Sequence, residues 1–133
     1  MAGTSCEGDI MLILMVEPGK TPYPAQMEDS LEAMQAAVGG LIQALYPFDD
    51  SVALVCNDEG KLLGLPPNRA LRDEEGNIYD VVCGIMFLCG APPDSENFCS
   101  LTPEQIKKYE KHFRYPEVFL RTERGIICLP VEG

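Results

Sequence analysis

The sequence predicts an α+β fold: one domain with an antiparallel or mixed sheet of four or five strands and two helices packed on it. Three observations carry this. Two short apolar runs, Met11 to Val16 and Val52 to Cys56, have the form of buried strands, and a longer run rich in Val and Ile spans Ile78 to Leu88. Two segments show helical spacing behind a capping residue, one after Ser30 and one after Thr102. The 133 residues, 46% hydrophobic, suit one domain with a real core.

Residues 1 to 10 are small, polar and aperiodic, and the expectation is a frayed extension before a domain over 11–133. Met11 is itself a candidate start. Met11 to Val16 reads as the first strand, and Glu17 to Pro24, with three prolines and a glycine, as a loop. The first helix has Ser30 as N-cap, Leu31, Met34, Ala37 and Val38 on one face, and Gly39-Gly40 as its end. Leu41 to Tyr46 reads as a strand.

Val52 to Cys56 is the next strand. The sequence predicts a hairpin here: Asn57 to Gly60 turns, with Gly60 at positive φ, and Lys61 to Leu65 returns antiparallel. Pro66-Pro67 then ends pairing. Ile78 to Leu88 reads as one long strand, with Gly84 marking a bulge or a close backbone approach. Thr102, Pro103 and Gln105 form a helix start with a capping box. Ile106, Tyr109 and Phe113 share a face of that helix, which runs to about Arg114 before Tyr115-Pro116 breaks it. In the tail, Ile126 to Leu129 reads as an edge strand.

Charge and cysteine usage narrow the partners. Ten Lys and Arg stand against 21 Asp and Glu, a net charge of −11. That disfavours nucleic acid, whose phosphates require a basic face, and favours a basic protein partner. The longest apolar run is far short of the roughly 20 residues that span a bilayer. It has no basic leader of the kind a signal peptide carries, so no membrane role and a cytoplasmic location are expected. Six cysteines occur without a Cys-x-x-Cys pair, and His112 is the only histidine. This spacing supplies no metal site, and reduced thiols serving as small apolar side chains are expected.

No catalytic set emerges, and no cofactor is expected. His112 lies late in the second helix, where an imidazole interacts with the helix dipole and the last carbonyls. The carboxylate clusters Asp49-Asp50, Asp58-Glu59 and Asp73-Glu74-Glu75 fall in turns and lack calcium-loop spacing. Gly19-Lys20-Thr21 resembles the end of a phosphate loop, but Leu14 stands where its first glycine belongs. The polar pair with most binding potential is Asn68 and Arg69, aimed by the stiff Pro66-Pro67. Arg69 either clamps a carboxylate or phosphate of a ligand or pairs with Asp73 or another acid to pin the loop, with Asn68 bonding to backbone. The structural alternative is preferred.

The stretch from Val55 to Leu71, VCNDEGKLLGLPPNRAL, resembles a family catalogued as a domain of unknown function, number 3846, found in gut Firmicutes, their conjugative elements and phages. Glu17-Pro-Gly-Lys20 after the first strand, Val38-Gly-Gly40 and Ile78-Tyr-Asp80 running to Gly84 and Gly90 carry it further. The resemblance covers about residues 11 to 120, and the tail after Arg121 departs from it. It implies a mobile-element setting and brings no activity, cofactor or catalytic residue. The leading expectation is therefore a small acidic accessory protein that binds another protein, such as a DNA-handling protein for which it acts as a charge decoy. The alternative is a small-ligand binding domain or minor enzyme with its polar site around Asn68 and Arg69.

Overall fold

Strand β1 (Ile10–Val16) lies near the middle of a five-stranded sheet in a computed structural model that describes residues 10–95, 97–123 and 125–130. The other strands of this sheet are β2 (Tyr23–Glu28), β3 (Ile42–Leu45), β4 (Val52–Asn57) and β7 (Met86–Gly90). Their order is β2-β1-β7-β4-β3, and every pairing is antiparallel. Helix α1 (Leu31–Val38) covers one face. The other face carries helix α2 (Pro103–His112) and a two-stranded sheet of β5 (Pro67–Arg72) and β6 (Ile78–Cys83). A second ribbon, β8 (Glu117–Thr122) with β9 (Gly125–Pro130), touches β5. The described chain is a single α+β domain, as the sequence predicts.

Two-sided burial explains the unalternating apolar runs. Leu14, Val16, Val52, Leu54, Cys56, Met86 and Leu88 point to the α2 side. Met11, Ile13, Ala53, Val55, Phe87 and Cys89 point to the α1 side. Period-2 alternation is therefore present in space, but both faces are apolar, so it leaves no polar beat in the sequence.

Both helix starts are as expected. Ser30 Oγ accepts from Ala33 N at 3.1 Å. Thr102 and Gln105 form the reciprocal capping box at 3.1 and 3.0 Å. Gly39, at φ 81°, closes α1 in the left-handed region. Helix α2 ends at His112, two residues before the expected limit.

The predicted hairpin over Val52 to Leu65 does not form. Strand β4 has β3 on one edge and β7 on the other, so no ladder is open to residues 61–65. They coil instead: Leu63 N donates to Glu59 O at 2.9 Å and Leu65 N to Gly60 O at 3.0 Å. Gly60 is not at positive φ. Its glycine is required by space, because a Cβ there would lie 2.5 Å from the Cys83 carbonyl oxygen. Pro67 does not end pairing; it opens β5, whose partner is β6.

The long strand from Ile78 is two strands belonging to two sheets. The break is at Gly84, with φ 93° and Leu65 Cδ1 2.7 Å from where a Cβ would stand, so the suspected close approach is real. Tyr23 and Pro24, expected in a loop, begin β2. Pro24 is tolerated because β2 is an edge strand. The single tail strand becomes the β8–β9 ribbon. Of the expected extension, Ile10 belongs to β1, and residues 1–9 lie outside the described ones.

Candidate functional site

Asn68 and Arg69 are buried, at 0% and 1% exposure. The β5–β6 register shifts between Pro67 and Arg69, leaving Asn68 as the extra residue. Such a bulge re-aims side chains, so two consecutive polar residues both reach the interior. Arg69 Nε and Nη2 donate to Phe113 O at 3.3 and 2.9 Å. Nη2 also donates to Lys20 O at 2.6 Å, and Nη1 to Asn68 O and Oδ1 at 3.2 and 2.9 Å. These five bonds match the five donors of a guanidinium. Asn68 Nδ2 donates to Val16 O at 2.8 Å and Gly84 O at 2.9 Å.

The pair is thus a clip. It ties β5 to the end of β1, the following loop, the β6–β7 break and the C-terminal end of α2. Phe113 is the C-cap of α2, so the guanidinium meets the negative end of that helix. The expected partner Asp73 is not used: Asp73 Oδ1 accepts from the backbone N–H groups of Glu75 and Asn77 in its own turn, both at 2.9 Å. Burial lowers the Arg69 pKa, opposed by the charge of Glu117. Glu117 in turn accepts from Ala70 N at 3.2 Å and pairs with Arg72 at 2.8 Å.

An open groove lies beside the clip, between the β3–β4 loop, the β5–β6 turn and α2. Its cavity volume is about 700 Å³, and Phe48, Arg72, Glu74, Tyr79, Lys111 and His112 are among its lining residues. Phe48 packs edge-on to His112 with centroids 5.6 Å apart and lies 4.7 Å from the Tyr109 ring. Behind them Tyr109 Oη donates to Asp50 at 2.9 Å, joined by Gln105 at 3.3 Å and Lys108 at 3.4 Å. Burial pushes the Asp50 pKa up, but the hydrogen bonds from Tyr109, Ser51, Gln105 and Lys108 outweigh it and hold the carboxyl below its ordinary range. The His112 pKa is lowered, first by burial and then by Arg72 and Lys108. A neutral imidazole at pH 7 accepts and donates hydrogen bonds but carries no charge to a ligand. Sequence reasoning placed His112 on α2 but had no signal for Phe48 as its neighbour.

The cysteines Cys56, Cys83, Cys89 and Cys99 are free thiols. Burial pushes the Cys56 pKa up to about 11 and that of Cys89 up to about 12, so both remain protonated core side chains. Cys6 and the side chain of Cys128 lie outside the described ones. Among the described residues no helix is long and apolar enough to cross a membrane.

The remaining unusual surface is on the β8–β9 ribbon. Val118 pairs with Leu129 and Leu120 with Ile127. Alternation puts all four on one face, and their exposures are 43%, 48%, 47% and 46% in that order.

No curated protein and no solved structure matches this chain. A family model described as Domain of unknown function (DUF3846) matches residues 11–114, from the second residue of β1 past the end of α2 and short of the ribbon. That match spans most of the sequence, and the chain belongs to this family.

Proposed function

We propose that the protein is an accessory domain of a mobile genetic element or phage that acts by binding another protein. The genetic setting rests on the family resemblance. The binding reading rests on one observation: the ribbon presents two apolar cross-strand rungs to solvent, Val118 with Leu129 and Leu120 with Ile127. A two-stranded ribbon is marginal in water unless one face is covered, and contiguous exposed apolar patches mark interaction sites.

The partner's chemistry follows from charge. A chain of net charge −11 repels acidic surfaces and draws basic ones. The partner therefore presents an apolar face rimmed by Lys and Arg, as a DNA-handling protein does. The reading places no ligand at Asn68 and Arg69, whose donors are spent on the fold.

The test compares wild-type protein with Leu120→Asp/Leu129→Asp as bait in lysate of the native host. The expected result is a basic protein retained by wild type, released as salt rises and missing from the double variant. Equal retention by both baits overturns the reading.

A further inference from the structure

Helix α2 and the residue after its cap hold four of the ten Lys and Arg of this acidic molecule, and three of those four differ from the other described cations. Four other described Lys and Arg side chains each have a carboxylate: Lys20 with Glu17 at 3.5 Å, Arg72 with Glu117 at 2.8 Å, Lys108 with Asp50 at 3.4 Å, and Lys61 with Asp80. Arg69 is spent on backbone carbonyls. Lys107, Lys111 and Arg114 form no ion pair among the described residues. Lys107 and Lys111, four apart, stand on one side of the helix, and Arg114 follows just past its C-cap. All are exposed.

They also share a concavity. Lys107, Lys111 and Arg114 line a groove of about 510 Å³ together with Glu110, Thr21 and Pro22 of the β1–β2 loop. The helix dipole accounts for cations in the last turn, where Lys111 stands, but Lys107 lies too far from that end to benefit. The chain has 21 acidic residues, yet among the described ones none, Glu110 included, is ion-paired with this cluster. We propose that the groove binds a small phosphate monoester carried on a hydroxyl-bearing skeleton, the chemistry of a sugar phosphate or a mononucleotide.

The lining accounts for each part of that ligand. Two ammonium groups and one guanidinium neutralise a phosphate dianion, and the guanidinium fork offers it two parallel N–H donors. The Thr21 hydroxyl adds a donor at the groove wall. Glu110 opposes a bare anion, but its carboxylate accepts a hydrogen bond from a ligand hydroxyl. The site therefore favours an esterified phosphate over inorganic phosphate. The net charge of −11 selects against long polyanions, which extend beyond the groove over acidic surface. This site is separate from the ribbon face, and its test does not depend on a protein partner.

The experiment follows the backbone amide resonances of α2 and residues 20–22 while inorganic phosphate, ribose 5-phosphate, adenosine monophosphate and a short DNA duplex are titrated separately. Saturable shifts are expected on those residues, with ribose 5-phosphate at least about tenfold tighter than inorganic phosphate. Comparison of ribose 5-phosphate with adenosine monophosphate tells whether the sugar phosphate alone suffices. Lys111→Gln should weaken ribose 5-phosphate about tenfold, and Lys107→Gln/Lys111→Gln/Arg114→Gln should abolish its binding. Glu110→Gln should erase the preference over inorganic phosphate. Lys107, Lys111 and Arg114 are exposed and Glu110 is half-buried at the groove wall, so unchanged circular dichroism is expected for each variant. No shifts with any monoester at about 10 mM, or the same shifts in the triple variant, overturn the proposal. Duplex binding tighter than the monoesters also overturns it, in favour of a polyanion surface.

Discussion

Arg69 shows how a buried charge is kept without a buried carboxylate. Phe113 O, Lys20 O and both Asn68 oxygens replace its water, and the described buried polar side-chain atoms all have partners. Truncation removes the donors and leaves carbonyls of three separate segments enclosed. Arg69→Ala should therefore cost about 3 kcal/mol in urea unfolding. Arg69→Lys should recover little of it, because a single ammonium does not reproduce the fork. A loss below about 1 kcal/mol in the alanine variant would contradict the clip. The residue pair was legible in the sequence, and so was the preference for a structural role. Its partners were not: Phe113 is 44 residues away and Val16 is 52 from Asn68. No local pattern announces a bulge that turns both side chains inward, so an acidic partner in the nearby turn was the natural expectation.

Helix termini are legible in the sequence because local chemistry decides them. The caps at Ser30, Gly39 and Thr102 depend on neighbours in sequence and could be found there. The hairpin over Val52 to Leu65 failed because strand pairing is settled by which edges are free, and both edges of β4 are taken. Helix α2 also sets a pH response through His112. Burial, then Arg72 and Lys108, lower its folded pKa beneath the unfolded value of about 6.5, while Glu117 opposes the shift. Below that unfolded value the unfolded chain binds a proton that the folded chain resists. Stability contributed by the neutral ring is thus present above about pH 6.5 and is lost as pH falls toward the folded pKa. The melting temperature should drop between about pH 7 and pH 5, and His112→Gln should flatten that slope. An identical slope in the variant would assign the response to other groups, Asp50 first among them. Asp50 titrates lower: its folded pKa is depressed, so its contribution fades only as pH falls below the carboxylate range.

The whole molecule separates into a core that carries the fold and a ribbon set outside it. Both apolar clusters draw their buried members from Met11 to Phe113, and the family match ends at residue 114. The core's layers were legible because three apolar runs and two capped helices leave few ways to bury their faces. The ribbon was only half legible, since the sequence marked Ile126 to Leu129 but not Glu117 to Thr122 as strand. The ribbon's described ties to the core run through β5, by way of Glu117 with Arg72 and Ala70 N. A chain ending at Pro116 keeps the Phe113 carbonyl for Arg69 and loses those described ties, whose core partners then meet water. It should remain folded with a single cooperative transition, less stable by about 1–2 kcal/mol. Its α2 groove should still bind ribose 5-phosphate, while retention of the basic partner should vanish with Val118, Leu120, Ile127 and Leu129. Far-ultraviolet circular dichroism, urea unfolding and the same bait experiment check the three parts. A truncated chain that does not fold would show that the ribbon belongs to the core. One that folds and still retains the basic partner would move the protein-binding face off the ribbon and onto the body of the domain.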